Sequence, residues 1–62
     1  MSEADADEQL RRLKNTVMGA ANRLALLASD NPDGRQELIS VSRVLAEAAQ
    51  RLERLLALRR NR

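Results

Sequence analysis

The sequence predicts an all-α fold: an antiparallel two-helix hairpin that assembles as a homodimeric four-helix bundle. Two long segments rich in Leu, Ala, Arg, Glu and Gln, all good helix formers, flank a single cluster of helix breakers at residues 29–34. In each segment, apolar side chains recur at intervals of three and four residues, which is the period of one helix face. The chain has only 62 residues and no Cys. It therefore needs a means of stabilisation other than disulfide bonds, and association with other helices provides one.

The first helix is predicted over residues 8–29, behind an acidic N-terminal segment at residues 1–7. Asp5 and Glu8 have the spacing of a capping box, and acidic side chains in a first turn favour the positive end of the helix dipole. The helical hairpin as a whole is expected to span residues 8–62.

The turn between the helices is predicted at residues 30–34. Pro32 suits the first position of a helix, and the side chain of Asn31 before it can cap the free backbone N–H groups. The second helix is then expected over residues 35–60. It ends in arginines, and cations at that end favour the negative pole of the helix dipole.

One apolar strip on each helix is predicted to form the contact between the two helices. When the chain folds back at the turn, apolar positions pair along the whole hairpin, beginning with Leu27 and Leu38. Near the middle Ala20 faces Leu45, and such alternation of small and large side chains fills a core without voids. The predicted hairpin core is Leu10, Leu13, Val17, Ala20, Leu24, Leu27, Leu38, Val41, Leu45, Ala48, Leu52 and Leu55.

The apolar surface is wider than a single hairpin contact can cover. A helix in a two-helix coiled coil shows a narrow apolar stripe, whereas a helix in a bundle shows a broader one. Two hairpins that pack face to face would bury the additional side chains and form a four-helix bundle. The residues predicted for this oligomer interface are Met18, Ala21, Ala28, Val44, Ala49, Leu56 and Leu58.

Catalysis and cofactor binding have no support in the sequence, and the chain is predicted not to be an enzyme. It contains no His, so Ser40 and Ser42 have no neighbouring base of that kind, and a zinc or haem site would need unusual ligands. Glu47 and Glu53 have arginines at helical spacing, which indicates surface ion pairs rather than acid–base chemistry. We expect no metal, no cofactor and no small-molecule substrate.

An arginine-rich C-terminal end suggests nucleic-acid binding as an alternative function. Basic patches attract phosphates whatever the base sequence. Hairpin formation, however, brings this end beside the acidic residues at the start of the chain, which partly cancels its field. The chain also lacks Phe, Trp and Tyr, the side chains on which single-stranded bases stack. Nucleic acid is therefore the less favoured partner, and its possible contacts are Arg51, Arg54, Arg59 and Arg60.

Localisation is predicted from the absence of targeting signals in the sequence. The apolar runs are only a few residues long, far short of a membrane span. The first residues are acidic and do not resemble a secretory signal. We expect a cytoplasmic protein with no membrane partner.

The turn and the second helix contain a string of residues that resembles a known family. After Asp30-Asn31-Pro32 comes Arg35-Gln36-Glu37-Leu38-Ile39-Ser40-Val41-Ser42-Arg43, followed by Leu45. This string is similar to the Arg-x-x-Leu-Ile-x-x-Ser-Arg that follows an Asp-Pro turn in one helical hairpin of the vinculin and α-catenin family of helical-bundle adhesion proteins. The present chain departs from that pattern in having an Asn between the Asp and the Pro. The resemblance implies a helical bundle whose function is to bind other helices.

The predicted function is non-enzymatic protein–protein assembly through helix packing, with a second copy of the chain as the first partner. Two alternatives remain open: a small nucleic-acid-binding bundle that uses the arginine-rich end, and a small subunit or chaperone that completes a bundle with a different helical protein. The same apolar face would serve a second copy or a foreign helix, so the sequence alone does not separate these partners.

Overall fold

A computed structural model describes residues 2–60 of the chain. Helix α1 spans Glu3–Asp30, a short 3₁₀ helix follows at Pro32–Gly34, and helix α2 spans Arg35–Arg60. The two helices pack against each other in opposite directions, so the predicted all-α hairpin is confirmed for the described residues. Residues 1, 61 and 62, which the predicted ranges include, lie outside the described part.

The first helix begins earlier than predicted, at Glu3 rather than at residue 8. Ser2 is its N-cap, and the Ser2 Oγ accepts a hydrogen bond of 3.2 Å from the backbone N–H of Asp5. Glu8 does not close a capping box with Asp5, because its carboxylate pairs instead with Arg11 and Arg12 one turn further on. Capping by Ser2 therefore starts the helix earlier than the predicted capping box of Asp5 and Glu8 would.

The connection between the helices is held by hydrogen bonds to the last carbonyl groups of α1. The Asn31 side chain donates to the carbonyl of Leu27 at 2.8 Å, and the backbone N–H of Gly34 donates to the carbonyl of Asn31 at 3.2 Å. Arg35, the first residue of α2, donates from its Nε to the carbonyl of Ala28 at 3.1 Å. These bonds satisfy carbonyl groups that a helix end leaves without an intrahelical partner.

A narrow line of alanines forms the contact between the helices, which we call the seam. Of the side chains that the structure describes, four are buried: Ala21 and Ala28 on α1, and Ala49 and Leu56 on α2, each 5% exposed or less. On each helix the two buried positions are seven residues apart, so they occupy the a positions of a heptad repeat. The d positions between them are half-buried: Leu10, Val17, Leu24, Leu38, Leu45 and Leu52.

The residues predicted for the hairpin core form two lines that differ in burial. The d positions lie in the seam, whereas the second line lies one position away from the buried alanines along each helix. Leu13, Leu27, Val41 and Leu55, predicted for the core, are between 42% and 57% exposed, and Ala20 and Ala48 are half-buried beside them. Conversely, the buried residues Ala21, Ala28, Ala49 and Leu56 had been predicted for the oligomer interface.

The physical reason for the shift lies in the polar residues that share the a positions with the buried alanines. Lys14 donates from its Nζ to the Glu53 Oε2 on the other helix at 2.7 Å, and Ser42 donates from its Oγ to the carbonyl of Ala21 at 2.7 Å. These residues are less apolar than their neighbours, so apolar periodicity alone favoured the neighbouring stripe. In the hairpin they find partners across the seam, and the alanines beside them allow the two backbones to approach closely.

Candidate interaction surface

One face of the hairpin is apolar along its length and has no partner among the described residues. It is formed by the residues that immediately precede the a positions, which are the g positions of the heptad. Because the helices run in opposite directions, the g positions of both come to the same side of the seam. We call this surface the open face; its residues are Leu13, Ala20 and Leu27 on α1, and Val41, Ala48 and Leu55 on α2.

Helix α2 widens the open face with two further large side chains. Val44 and Leu58 lie at the heptad positions next to the g positions and are 65% and 68% exposed. Both had been predicted for an oligomer interface, and the structure leaves both accessible. The outer edge of α2 therefore projects as a ridge beside the open face, with the charged Arg51 between these two apolar side chains.

Helix α1 has a shallow groove at the corresponding edge. Its lining includes Gly19 and Ala20, and a Cβ added at Gly19 would meet no atom of the described residues within 4 Å. The full lining is Asn15, Thr16, Gly19, Ala20, Arg23 and Leu24. The open face is thus bounded by a groove on α1 and by a ridge on α2.

The hairpin exposes more surface than a compact monomer of the same mass. The chain exposes 5004 Å², whereas a compact monomer of 6.9 kDa exposes about 4,000 Å². The hairpin measures 46 × 16 × 12 Å, so its broad side covers about 740 Å², close to the ~800 Å² that each partner buries in a standard stable interface. Covering the open face would remove most of the surface that the hairpin exposes beyond that of a compact monomer.

The flank of the seam opposite the open face carries both apolar and charged side chains, and we call it the mixed flank. Met18, predicted for the oligomer interface, lies there and is half-buried. Towards the end of the hairpin that is away from the turn, this flank carries the ion pair between Lys14 and Glu53. The hydrogen bond and the charge of Lys14 hold the pKa of the Glu53 carboxyl below its ordinary value, with smaller contributions from Arg60 and Arg11 and a weak opposing effect of desolvation.

The arginines predicted as nucleic-acid contacts do not lie on one side of α2. Arg59 is half-buried in the seam and forms an ion pair with Asp7 of α1. By heptad position, Arg51 lies on the ridge between Val44 and Leu58, Arg54 points away from the hairpin, and Arg60 lies on the mixed flank. The basic charge is therefore distributed around the helix and partly neutralised by α1.

Sequence reasoning missed the two ion pairs that join the helices, Lys14 with Glu53 and Arg59 with Asp7. A signal for them was present, since opposite charges occupy heptad positions that an antiparallel hairpin brings together. The apolar pattern favoured the stripe one residue away, which is more apolar than the stripe that contains these charges.

Within residues 2–60 there is no group of three or more Asp, Glu, His or Cys side chains that could hold a metal ion. The described helices include none with the length and apolar character needed to cross a membrane. No protein-family model, no curated protein and no solved structure matches the chain. The resemblance of its turn and second helix to the vinculin and α-catenin family stays a prediction.

Proposed function

We propose that this chain is a non-enzymatic assembly module that self-associates through its open face to form a homodimeric four-helix bundle. The observation that carries the proposal is the continuous apolar stripe on both helices, in which Leu13, Leu27, Val41 and Leu55 remain 42–57% exposed in the single hairpin. Single exposed apolar side chains are ordinary, but a contiguous patch of several hundred Å² marks an interaction site.

The weakness of the seam supports the same proposal. Among the described residues, its fully buried side chains are three alanines and Leu56, and fully burying a leucine contributes only about 1.5–3 kcal/mol. Ordering the backbone of a single residue costs about 1–2 kcal/mol. A seam with so few fully buried side chains contributes little burial, and a partner that covered the open face would add to it.

A second copy is the simplest partner for this surface. The open face has a large–small–large order of side chains on both helices, Leu-Ala-Leu on α1 and Val-Ala-Leu on α2. A two-fold interface brings the same patch of two copies together and therefore requires self-complementarity. Small side chains near the middle, with larger ones towards both ends, allow the helices of two hairpins to approach at the centre.

The proposal is tested by two substitutions at adjacent exposed leucines. Leu27 lies on the open face and is 51% exposed, whereas Leu26 is 69% exposed and points away from both the seam and the open face. We expect Leu27→Glu to convert a dimer to a monomer, because the charge loses its hydration when the face is covered. Leu26→Glu should leave the mass unchanged. Sedimentation equilibrium over a wide range of concentrations measures both.

Two outcomes would contradict the proposal. A monomeric mass for the unmodified chain at every concentration would mean that the open face is covered by a different helical protein or by nothing. A dimer that survives Leu27→Glu and dissociates with Leu26→Glu would place the interface on another side of the hairpin.

A further inference from the structure

We infer that the hairpin has two alternative seams, and that its helices pass from one to the other by turning about their own axes. In the second arrangement, which we call the rotated seam, the g positions replace the a positions beside the shared d positions. The open face is then turned into the contact between the two helices. The rotation itself is independent of the proposed self-association, whereas its effect on docking rests on that proposal.

The composition of the two competing stripes carries the first step. The g positions of the two helices hold apolar side chains throughout, and the four large ones among them remain 42–57% exposed. At the a positions, the only large apolar side chain is Leu56, and half of the positions are polar or charged: Asp7, Lys14, Arg35 and Ser42. A seam that uses the g positions therefore buries more apolar surface than the observed seam does.

A small rotation is enough to exchange the two stripes. Adjacent residues of an α-helix are about 100° apart around its axis. Each g position directly precedes an a position, and the d positions lie between the two on the helix surface. Each helix therefore turns by about 50°, half of that angle. Because the g positions of both helices lie on the same side of the seam, the helices turn in opposite senses, and d residues such as Leu24 and Leu45 stay in the contact.

Polar contacts favour the observed seam over the rotated one. The Ser42 hydroxyl donates to the carbonyl of Ala21 at 2.7 Å, and the Lys14 Nζ donates to the Glu53 Oε2 at 2.7 Å. The rotation separates these groups and returns Lys14 and Ser42 to water, which satisfies them in turn, so the net loss is modest. The observed seam has the better polar contacts and the rotated seam the greater apolar burial, and a hairpin balanced in this way populates both.

The rotation controls whether the open face is available. In the observed seam this face is accessible. In the rotated seam it is hidden between the helices, and the alanines of the a positions move to the surface of the mixed flank. A second copy that docks on the open face binds only hairpins with the observed seam, so its apparent affinity falls in proportion to the fraction of such hairpins. Docking is thereby regulated without unfolding of either helix.

The rotation is tested with two pairs of cysteines on opposite sides of the seam, since the chain has no cysteine of its own. Ala20→Cys with Ala48→Cys joins g positions across the open face, and Met18→Cys with Ala46→Cys joins e positions across the mixed flank. All four residues are half-buried. In the register set by the ion pair at the end away from the turn, the members of each pair differ by about two residues, or about 3 Å, along the helix axis. A fixed seam therefore treats the two pairs alike.

The measurement is the thiol–disulfide equilibrium of each pair in a glutathione buffer, in dilute solution where the mass of the oxidised product is that of one copy. Rotation brings the open-face pair together and moves the mixed-flank pair apart. We expect the disulfide of the open-face pair to form at least about tenfold more favourably than the disulfide of the mixed-flank pair. Circular dichroism checks that both variants are helical. Equal equilibrium constants, or a preference for the mixed-flank pair, would overturn the rotation.

The effect on docking is measured on the same two variants by sedimentation equilibrium. The open-face pair should self-associate at least about tenfold more weakly when oxidised than when reduced, because its disulfide holds the rotated seam. Oxidation of the mixed-flank pair should not weaken association. Equal association of the oxidised and reduced open-face pair would overturn the control of docking. A monomeric mass for the unmodified chain at every concentration would defeat the proposed function, and the disulfide equilibria would still decide whether the helices rotate.

Discussion

Alanine at the buried positions sets how closely the two helices approach each other. Ala21, Ala28 and Ala49 have side chains that end at the Cβ, and each is at most 2% exposed. Helices that meet through such small residues pack at the short end of the usual range, near 8 Å between axes. The close approach also brings the Ser42 hydroxyl to the carbonyl of Ala21. The seam therefore depends on side chains that are small enough to let the two helices come close together.

Enlarging one of these alanines should force the helices apart. Ala49→Leu places three additional carbon atoms in a position that is 1% exposed, and overpacking of this kind costs about 1–3 kcal/mol. We expect a clear fall in the midpoint of thermal unfolding, followed by circular dichroism. Ala57→Leu, the same change at an exposed position of the same helix, is the control and should have little effect. Equal midpoints for the two variants would show that the seam does not run through Ala49.

At the scale of the two helices, polar contacts at both ends of the hairpin fix their register. Arg35 binds the last carbonyl groups of α1 at the turn, and the pairs of Lys14 with Glu53 and Asp7 with Arg59 join the helices towards the other end. The alanines between these contacts specify the register only weakly. If one helix slid along the other, a similar small residue would take the same place. The ion pairs supply the specificity that the apolar seam lacks.

The Lys14–Glu53 pair also makes stability depend on pH. The pKa of Glu53 is lowered in the folded chain, so its contribution is fully present above the unfolded-state pKa and is lost as the pH falls through the folded-state pKa. We expect the midpoint of thermal unfolding to fall as the pH drops below about 4.5, the ordinary pKa of a glutamate carboxyl. Glu53→Gln should reduce that fall slightly, because the pair is exposed and screened. Glu47→Gln serves as the control, and the same pH dependence in both variants would exclude the pair as the cause.

The sequence predicts the existence of both helices, the place of the turn and the d positions of the seam, because periodicity and turn residues are local signals. It does not predict which neighbouring stripe completes the seam. Leu13 is more apolar than Lys14, and Val41 is more apolar than Ser42, so apolar patterning favours the stripe that the structure leaves open. The choice depends on hydrogen bonds between residues 21 and 39 positions apart in the chain, from Ser42 to the backbone carbonyl of Ala21 and from Lys14 to Glu53. Such contacts become visible only once the register is known.

For the whole molecule, association that covers exposed surface would make the stability of the folded state depend on protein concentration. The chain exposes about 1,000 Å² more than a compact protein of its mass, and a partner that covered part of that area would stabilise it. If the cover is a second copy, folding and association are one equilibrium, and the folded state gains stability as the chain becomes more concentrated.

Thermal unfolding should therefore depend on protein concentration. Each tenfold rise in concentration should raise the unfolding midpoint by a few degrees, since a tenfold change corresponds to about 1.4 kcal/mol. Circular dichroism at several concentrations measures the shift. The Leu27→Glu chain should melt at a lower temperature that does not vary with concentration. A midpoint independent of concentration in the unmodified chain would indicate a hairpin that is stable alone.

The half-buried leucines and valine at the d positions have one side in the seam and the other beside the open face. A substitution at Leu24 or Leu45 consequently alters the hairpin and the open face together, whereas Leu26 can change without touching either. A d residue that suits the seam therefore has to suit the open face as well. Related chains should vary freely at outward positions and change their d residues only in compensated sets, in which one helix of the hairpin adjusts to the other.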